Sequence, residues 1–195
     1  IDTIAPVLSC TYDSNNDSNL YNRARTAHIR IDEVNFDPEK VTVSVSKNGV
    51  VTKLKNNFSK DGNTYVMDYV FSDDADYILT VTCRDKADNK ANDYSSGKFT
   101  VDATAPVLEV SYDNNSAQNG TYYNASRTAT IRVEEHNFDA SRVNIAVTSE
   151  DGTSAAPGAS GFTSNGDTHV ATVNFSADGK FRIRVSATDS AGNTA

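Results

Sequence analysis

The sequence predicts an all-β chain built as two tandem β-sandwiches of about seven strands each. Three observations carry that reading. The 195 residues contain one internal repeat of about a hundred residues, and a repeat of that period sets the architecture before any local signal does. Within each copy the apolar residues recur every second position, the period of a half-buried strand. Asn, Asp, Ser and Gly punctuate the apolar runs, and no stretch has the 3.6-residue period of an amphipathic helix.

The strands of the first copy fall near residues 6–13, 24–32, 39–47, 49–55, 64–71, 76–84 and 96–102. In the second of these, Ala27, Ile29 and Ile31 alternate with Thr26, His28 and Arg30. Val41, Val43 and Val45 mark the third, and Val143, Ile145 and Val147 answer them in the second copy. Tyr65, Met67, Tyr69 and Phe71 alternate with Val66, Asp68 and Val70. Tyr77, Leu79, Val81 and Cys83 do the same with Ile78, Thr80 and Thr82. Each strand thus has one apolar face, which requires a second sheet to cover it. Val, Ile, Thr and Tyr dominate the runs, as a pleated, half-buried surface favours.

The repeat places one domain at 1–101 and the other at 102–195. The linker is short, because Gly97-Lys98-Phe99-Thr100-Val101-Asp102 runs straight into Ala103-Thr104-Ala105-Pro106, and Pro106 stiffens it. Ile1-Asp2 reads as the tail of a preceding repeat, and a counterpart of Phe99 is missing after Ala195. The second domain is therefore expected to lack its closing strand, and the chain to be a fragment with an open sheet edge. With 37% apolar and 23% charged residues, there is material for sandwich cores and no run long enough for a membrane-spanning helix. A net charge of −8 argues against a nucleic-acid partner, which needs clustered Lys and Arg.

The two copies share an ordered set of motifs. Asp2-Thr3-Ile4-Ala5-Pro6 returns as Asp102-Ala103-Thr104-Ala105-Pro106, and Arg25-Thr26-Ala27-His28-Ile29-Arg30 as Arg127-Thr128-Ala129-Thr130-Ile131-Arg132. Asn35-Phe36-Asp37 matches Asn137-Phe138-Asp139, and Asp85-Lys86-Ala87-Asp88-Asn89 matches Asp189-Ser190-Ala191-Gly192-Asn193. In this order and spacing the chain resembles tandem bacterial immunoglobulin-like repeats of the Big type, found in cell-surface and adhesin proteins of Gram-positive bacteria. The resemblance covers essentially the whole chain, twice. It implies two immunoglobulin-like sandwiches in a secreted, wall-attached protein, where they serve as stalk or adhesion modules. The first copy departs from the pattern at Asp88, where the second has Gly192.

Cys10 shares its parity with Leu8 and Tyr12, and Cys83 with Leu79 and Val81, so both point into one core. The oxidising setting that the resemblance implies favours a Cys10–Cys83 disulfide, with two buried thiols as the alternative. The second copy has Val110 and Ala187 at these positions, so the bridge would be a staple and not a working thiol.

Asp-rich hairpins are the best candidates for a site. Asp85, Asp88 and Asn89 in one copy, Asp189 and Asn193 in the other, and Asp102 at the start of the second copy offer oxygen ligands for calcium. The competing reading is that these residues satisfy turn backbone. Glu33 and Glu135 beside the Asn-Phe-Asp turns suggest paired carboxylates, yet their presence in both copies favours a structural role. None of the three histidines persists between copies: His28 answers to Thr130, His136 to Val34 and His169 to Tyr65. No nucleophile elbow or phosphate-cradling loop occurs. The chain is accordingly expected to be non-catalytic, with no cofactor unless calcium. Its first function is a spacer joined to other domains of the parent chain, extracellular at the cell surface. Direct binding of a host protein or glycan, through residues 13–23, 113–124 or 152–161, is the second. An accessory module of a secreted carbohydrate-active enzyme is the third.

Overall fold

A computed structural model describes residues 1–195, which divide into two compact units, Ile1–Ala103 and Thr104–Ala195. Both are built of strands, apart from one 3-10 turn at Ala140–Arg142. In the first unit one sheet has the order β1 (Val7–Tyr12), β3 (Arg25–Asp32), β7 (Thr64–Phe71), β6 (Ser59–Asp61). The other has the order β2 (Leu20–Tyr21), β10 (Phe99–Val101), β8 (Ala75–Asp85), β4 (Phe36–Lys47), β5 (Val50–Lys53). A further short strand, β9 (Tyr94–Ser95), also pairs with β8. The expected runs reappear as β1, β3, β4, β5, β7, β8 and β10, while β2, β6 and β9 are additional pieces of two or three residues. Strands that short hold too few residues for alternation to register.

Alternation does the packing. Ala27, Ile29 and Ile31 of β3 join Val41, Val43 and Val45 of β4 and Leu79, Val81 and Cys83 of β8 in one buried cluster. An aromatic group closes one end of it. Phe71, Tyr77 and Phe99 meet with ring centroids 4.9–5.8 Å apart, and Tyr21 meets Phe99 edge-on at 6.1 Å. The β4–β5 hairpin turns on Asn48 and Gly49, both at positive φ (50° and 83°), the Asn-Gly pair that matches the twist of a two-residue hairpin.

In the second unit β11 (Val107–Tyr112), β12 (Arg127–Glu134), β15 (Thr168–Phe175) and β14 (Thr163–Asn165) form one sheet in that order. The other sheet holds only β13 (Val143–Ser149) and β16 (Phe181–Ala187). Ala129, Ile131 and Val173 are buried, and Ile145, Val147, Ile183 and Val185 pack against them only half-covered.

The expected Cys10–Cys83 disulfide is absent; both cysteines are free thiols. Cys10 lies on β1, its thiol beside Tyr12 and Tyr94. Cys83 lies on β8 in the other sheet, its thiol beside Glu33 and Asp85. Parity identifies the face a side chain points to, but a bridge also requires the same level along both strands, with Cα atoms about 4.4–6.8 Å apart. Burial raises both thiol pKa values; that of Cys83, further raised by the Glu33 and Asp85 charges, is pushed up to about 11.

Candidate cation site

The acidic residues that lie closest together in the first unit come from three places in the chain. Asp2 precedes β1, Glu33 follows β3, and Asp85 ends β8. Carboxylate oxygens of all three lie within 4.8 Å of one another. Asp85 is completely buried, and its charge is met by dipoles of the turn that follows. Its Oδ1 accepts the Asn89 N–H at 2.9 Å and its Oδ2 accepts the Asn89 amide at 2.7 Å. Glu33 accepts the Asn35 N–H at 2.7 Å. Asp2 accepts the Ile4 N–H at 3.0 Å and the Asn35 side-chain amide at 2.8 Å, and these two donors hold its carboxyl below the usual range. The Asn89 amide reaches Asp2 as well, donating to its carbonyl at 3.2 Å.

This arrangement draws three remote segments together through carboxylates and asparagine amides. Three carboxylate oxygens beside two asparagines are also the ligand types a hard cation such as calcium takes. Of the residues expected to hold such an ion, Asp85 and Asn89 are at this point. Asp88 is not; its carboxylate turns away to Lys40 Nζ at 2.8 Å. Asp2 and Glu33 complete the group, and each was visible in the repeat as a duplicated position without being assigned to the hairpin. Nothing in the sequence says that residues 2, 33 and 85 converge; the pairing of β1 with β3 and the end of β8 bring that about.

The second unit repeats the clamp on corresponding residues. Asp189, almost fully buried, accepts the N–H groups of Gly192 at 2.6 Å and Asn193 at 2.9 Å, and the Asn193 amide at 2.8 Å. Glu135 accepts the Asn137 N–H at 2.7 Å, as Glu33 does that of Asn35. The hairpin backbones match too, Asp85 N–H to Asn89 O at 3.1 Å and Asp189 N–H to Asn193 O at 3.0 Å. Asp88 meets the turn's demand with φ +66° where Gly192 has +97°, so the departure from the motif leaves the hairpin intact. Asp102, directly after β10, occupies in the repeat the position of Asp2, and its N–H donates to Tyr21 O at 2.8 Å.

A second duplicated constellation escaped the sequence reading. Arg25, buried at the start of β3, stacks its guanidinium over Tyr12, Tyr21 and Phe99 at 3.8, 4.3 and 4.6 Å. Its Nε donates to Ser14 O at 3.0 Å and its Nη2 to Asn15 Oδ1 at 2.8 Å, pinning the loop after β1. Arg127 does the same over Tyr112 and Tyr123 at 3.6 and 4.3 Å, donating to Asn114 O and Asn115 Oδ1 at 2.6 and 3.0 Å. No protein-family model and no curated protein matches the chain. The repeat within the chain is therefore its own best comparison.

The histidines and two further aspartates are engaged as well. His28 faces Asp68 at 2.8 Å and His136 faces Asp167 at 2.9 Å, both exposed. His169 is buried, stacked on Phe138 at 3.7 Å as Tyr65 stacks on Phe36 at 3.8 Å, with its nitrogens at Ser164 Oγ and Glu135 O. Asp73 pairs with Lys47 at 2.5 Å and Asp76 with Lys98 at 2.7 Å.

Proposed function

We propose that the chain is a pair of immunoglobulin-like modules from a secreted or wall-attached bacterial surface protein, non-catalytic, and working as a stalk. Lettered along the chain, with β9 and β10 as one broken final strand, the first unit's sheets are A-B-E-D and A′-G-F-C-C′. That order supports an immunoglobulin-type sandwich. The second unit's A-B-E-D and C-F sheets follow it as far as they go.

The observation that carries the stalk reading is the duplication of the clamps. Asp85 with Asn89 and Asp189 with Asn193 make the same bonds, and Arg25 and Arg127 pin the same loop in both units. Features kept in every module serve each module's integrity; a binding or catalytic site has no need to be repeated. Pulling single chains by their ends tests this. Two unfolding events are expected, each releasing about 33–36 nm for roughly a hundred residues. Units that extend gradually at low force, without discrete events, would rule the stalk out.

One observation favours direct ligand binding as a second reading. Tyr122, in the loop between β11 and β12, is 76% exposed, and an aromatic ring so displayed is a stacking surface for sugars or protein. Binding to a glycan or host-protein panel that Tyr122→Ala abolishes would favour it over the stalk.

A further inference from the structure

An asparagine followed by glycine is chemically weak, because the glycine nitrogen can attack the asparagine Cγ with no side chain in its way. The chain has three such pairs, Asn48-Gly49, Asn119-Gly120 and Asn165-Gly166, each at a turn whose glycine has positive φ. By local sequence the three are equivalent. What distinguishes them is how firmly the surroundings hold each one.

Asn48 is held by its side chain and its backbone together. Its Oδ1 accepts the Asp76 N–H at 2.9 Å, and its own N–H donates to Asp76 O at 2.8 Å. The amide cannot swing toward the Gly49 nitrogen without breaking the bond that fixes Oδ1. Asn165 is held through its backbone, as the last residue of β14, paired opposite Thr168. Next to it Ser164 pairs with His169, and their side chains meet at 2.7 Å. Closing a five-membered ring at Asn165 turns its backbone away from the extended form and pulls that end of β14 off β15.

Asn119 has neither restraint. It lies in the loop between β11 and β12, where residues 116–122 are all exposed. Two backbone bonds close its turn, Tyr122 N–H to Asn119 O at 3.0 Å and Gln118 N–H to Tyr122 O at 2.8 Å. No strand continues that bridge on either side. Neither the Asn119 side-chain amide nor the Gly120 N–H has a partner. Asp17 and Ser18, at the corresponding positions of the first unit, are exposed too, although β2 pairs with β10 just after them. Exposure at this point therefore belongs to the loop and does not depend on which strands lie beside it.

We propose that Asn119 is a site of spontaneous covalent modification, with water as the co-reactant. The Gly120 nitrogen bonds to Asn119 Cγ, the Cγ–Nδ2 bond breaks, and Nδ2 leaves as ammonia with the Gly120 N–H proton. Water then adds to one of the two carbonyl carbons of the succinimide and opens the ring. Opening on one side leaves aspartate; opening on the other leaves isoaspartate, whose backbone runs through the former side chain. Either product adds a negative charge to the loop. Isoaspartate also lengthens the backbone by one carbon inside the turn that Gln118 and Tyr122 close. The proposal rests on this loop and is independent of the stalk reading.

The test incubates the full chain at mildly alkaline pH in isotopically labelled water, both folded and in denaturant. Peptides carrying each of the three pairs are followed by mass spectrometry. In denaturant the three sites are expected to react at similar rates, since local sequence alone then sets them. In the folded chain Asn119 should keep most of that rate. Asn48 and Asn165 should slow by about ten-fold or more, the factor that one or two net hydrogen bonds represent. Labelled oxygen should enter the Asn119 peptide as a mixture of aspartate and isoaspartate, and Asn119→Gln should remove it. Equal rates at the three sites of the folded chain overturn the proposal. So does reaction at Asn48 or Asn165 ahead of Asn119, an Asn119 that stays intact while the denatured chain reacts, or labelling that persists in Asn119→Gln.

Discussion

The two units share the order of their main strands and their clamps, yet their second sheets differ: β4 is flanked by β5 in the first, while β13 pairs only with β16 in the second. In the first, Val43, Val45, Leu79 and Val81 are buried beneath β10, β9 and β2 on one flank and β5 on the other. In the second, Ile145, Val147, Ile183 and Val185 are residues of the same kind, half-exposed on a two-stranded sheet. Burying such a side chain fully is worth about 1.5–3 kcal/mol, and in the first unit flanking strands of two to four residues help to supply that burial. Local sequence is nearly equivalent in the two units, and the strands that flank it are not.

The comparison breaks most sharply at Phe99. Phe99→Ala removes the ring on which Tyr12, Tyr21, Phe71, Tyr77 and Arg25 converge. A loss of about 3–5 kcal/mol is expected, and hydrogen exchange in β8 should rise. A loss below about 1 kcal/mol in denaturant unfolding would mean that the Phe99 ring does not hold the aromatic group together.

The clamps should behave alike. Asp85→Ala and Asp189→Ala each strand partly buried N–H donors of the following turn, at a cost of about 1–3 kcal/mol. Exchange rates at Asn89 and Asn193 report the two separately, and similar increases are expected. The stacked arginines should differ: Arg25 is buried over three rings, while Arg127 covers two and is half-buried. Arg25→Ala is expected to cost about 2 kcal/mol and Arg127→Ala about 1 kcal/mol. Equal losses would remove the role given to Phe99 in the cage.

Smaller effects sharpen the hairpin comparison. Asp88→Gly relieves a left-handed residue that carries a side chain, and should raise the melting midpoint by about 2–5 °C despite losing the exposed Lys40 pair. Gly192→Asp should do the reverse. The smallest expected effect is that of a reductant, which should leave both units unchanged because Cys10 and Cys83 are thiols. A pKa raised above its ordinary value keeps a thiol protonated at neutral pH. Labelling of Cys83 should therefore be slow near pH 7, quicken as pH approaches about 11, and become fast on unfolding. A reductant-sensitive midpoint, or no titratable thiol after denaturation, would restore the bridge.

Much of this molecule was legible from residue types alone. The period of two places β3, β4, β7 and β8 and their inward faces, because a strand's alternation is a local property of the backbone. The repeat marks which positions matter twice, Glu33 and Glu135 or Arg25 and Arg127 among them, since a requirement of the fold recurs with it. Asn48-Gly49 announces its hairpin by its own conformational preference.

Other features depend on separations that no local pattern encodes. Residues 2, 33 and 85 meet because strand ends from both sheets arrive at one place, and the Asp88 carboxylate turns instead to Lys40 of β4. Cys10 and Cys83 share a core yet have different neighbours, Tyr12 and Tyr94 for one and Glu33 and Asp85 for the other, which parity cannot express. The cover over Tyr77 comes from Phe99 through the pairing of β8 with β10, which the alternation within either segment does not announce. Chain-local chemistry, repeated, determined the strands, their faces and the turns. Tertiary structure decided which of those faces is covered, because cover is supplied by segments distant in sequence.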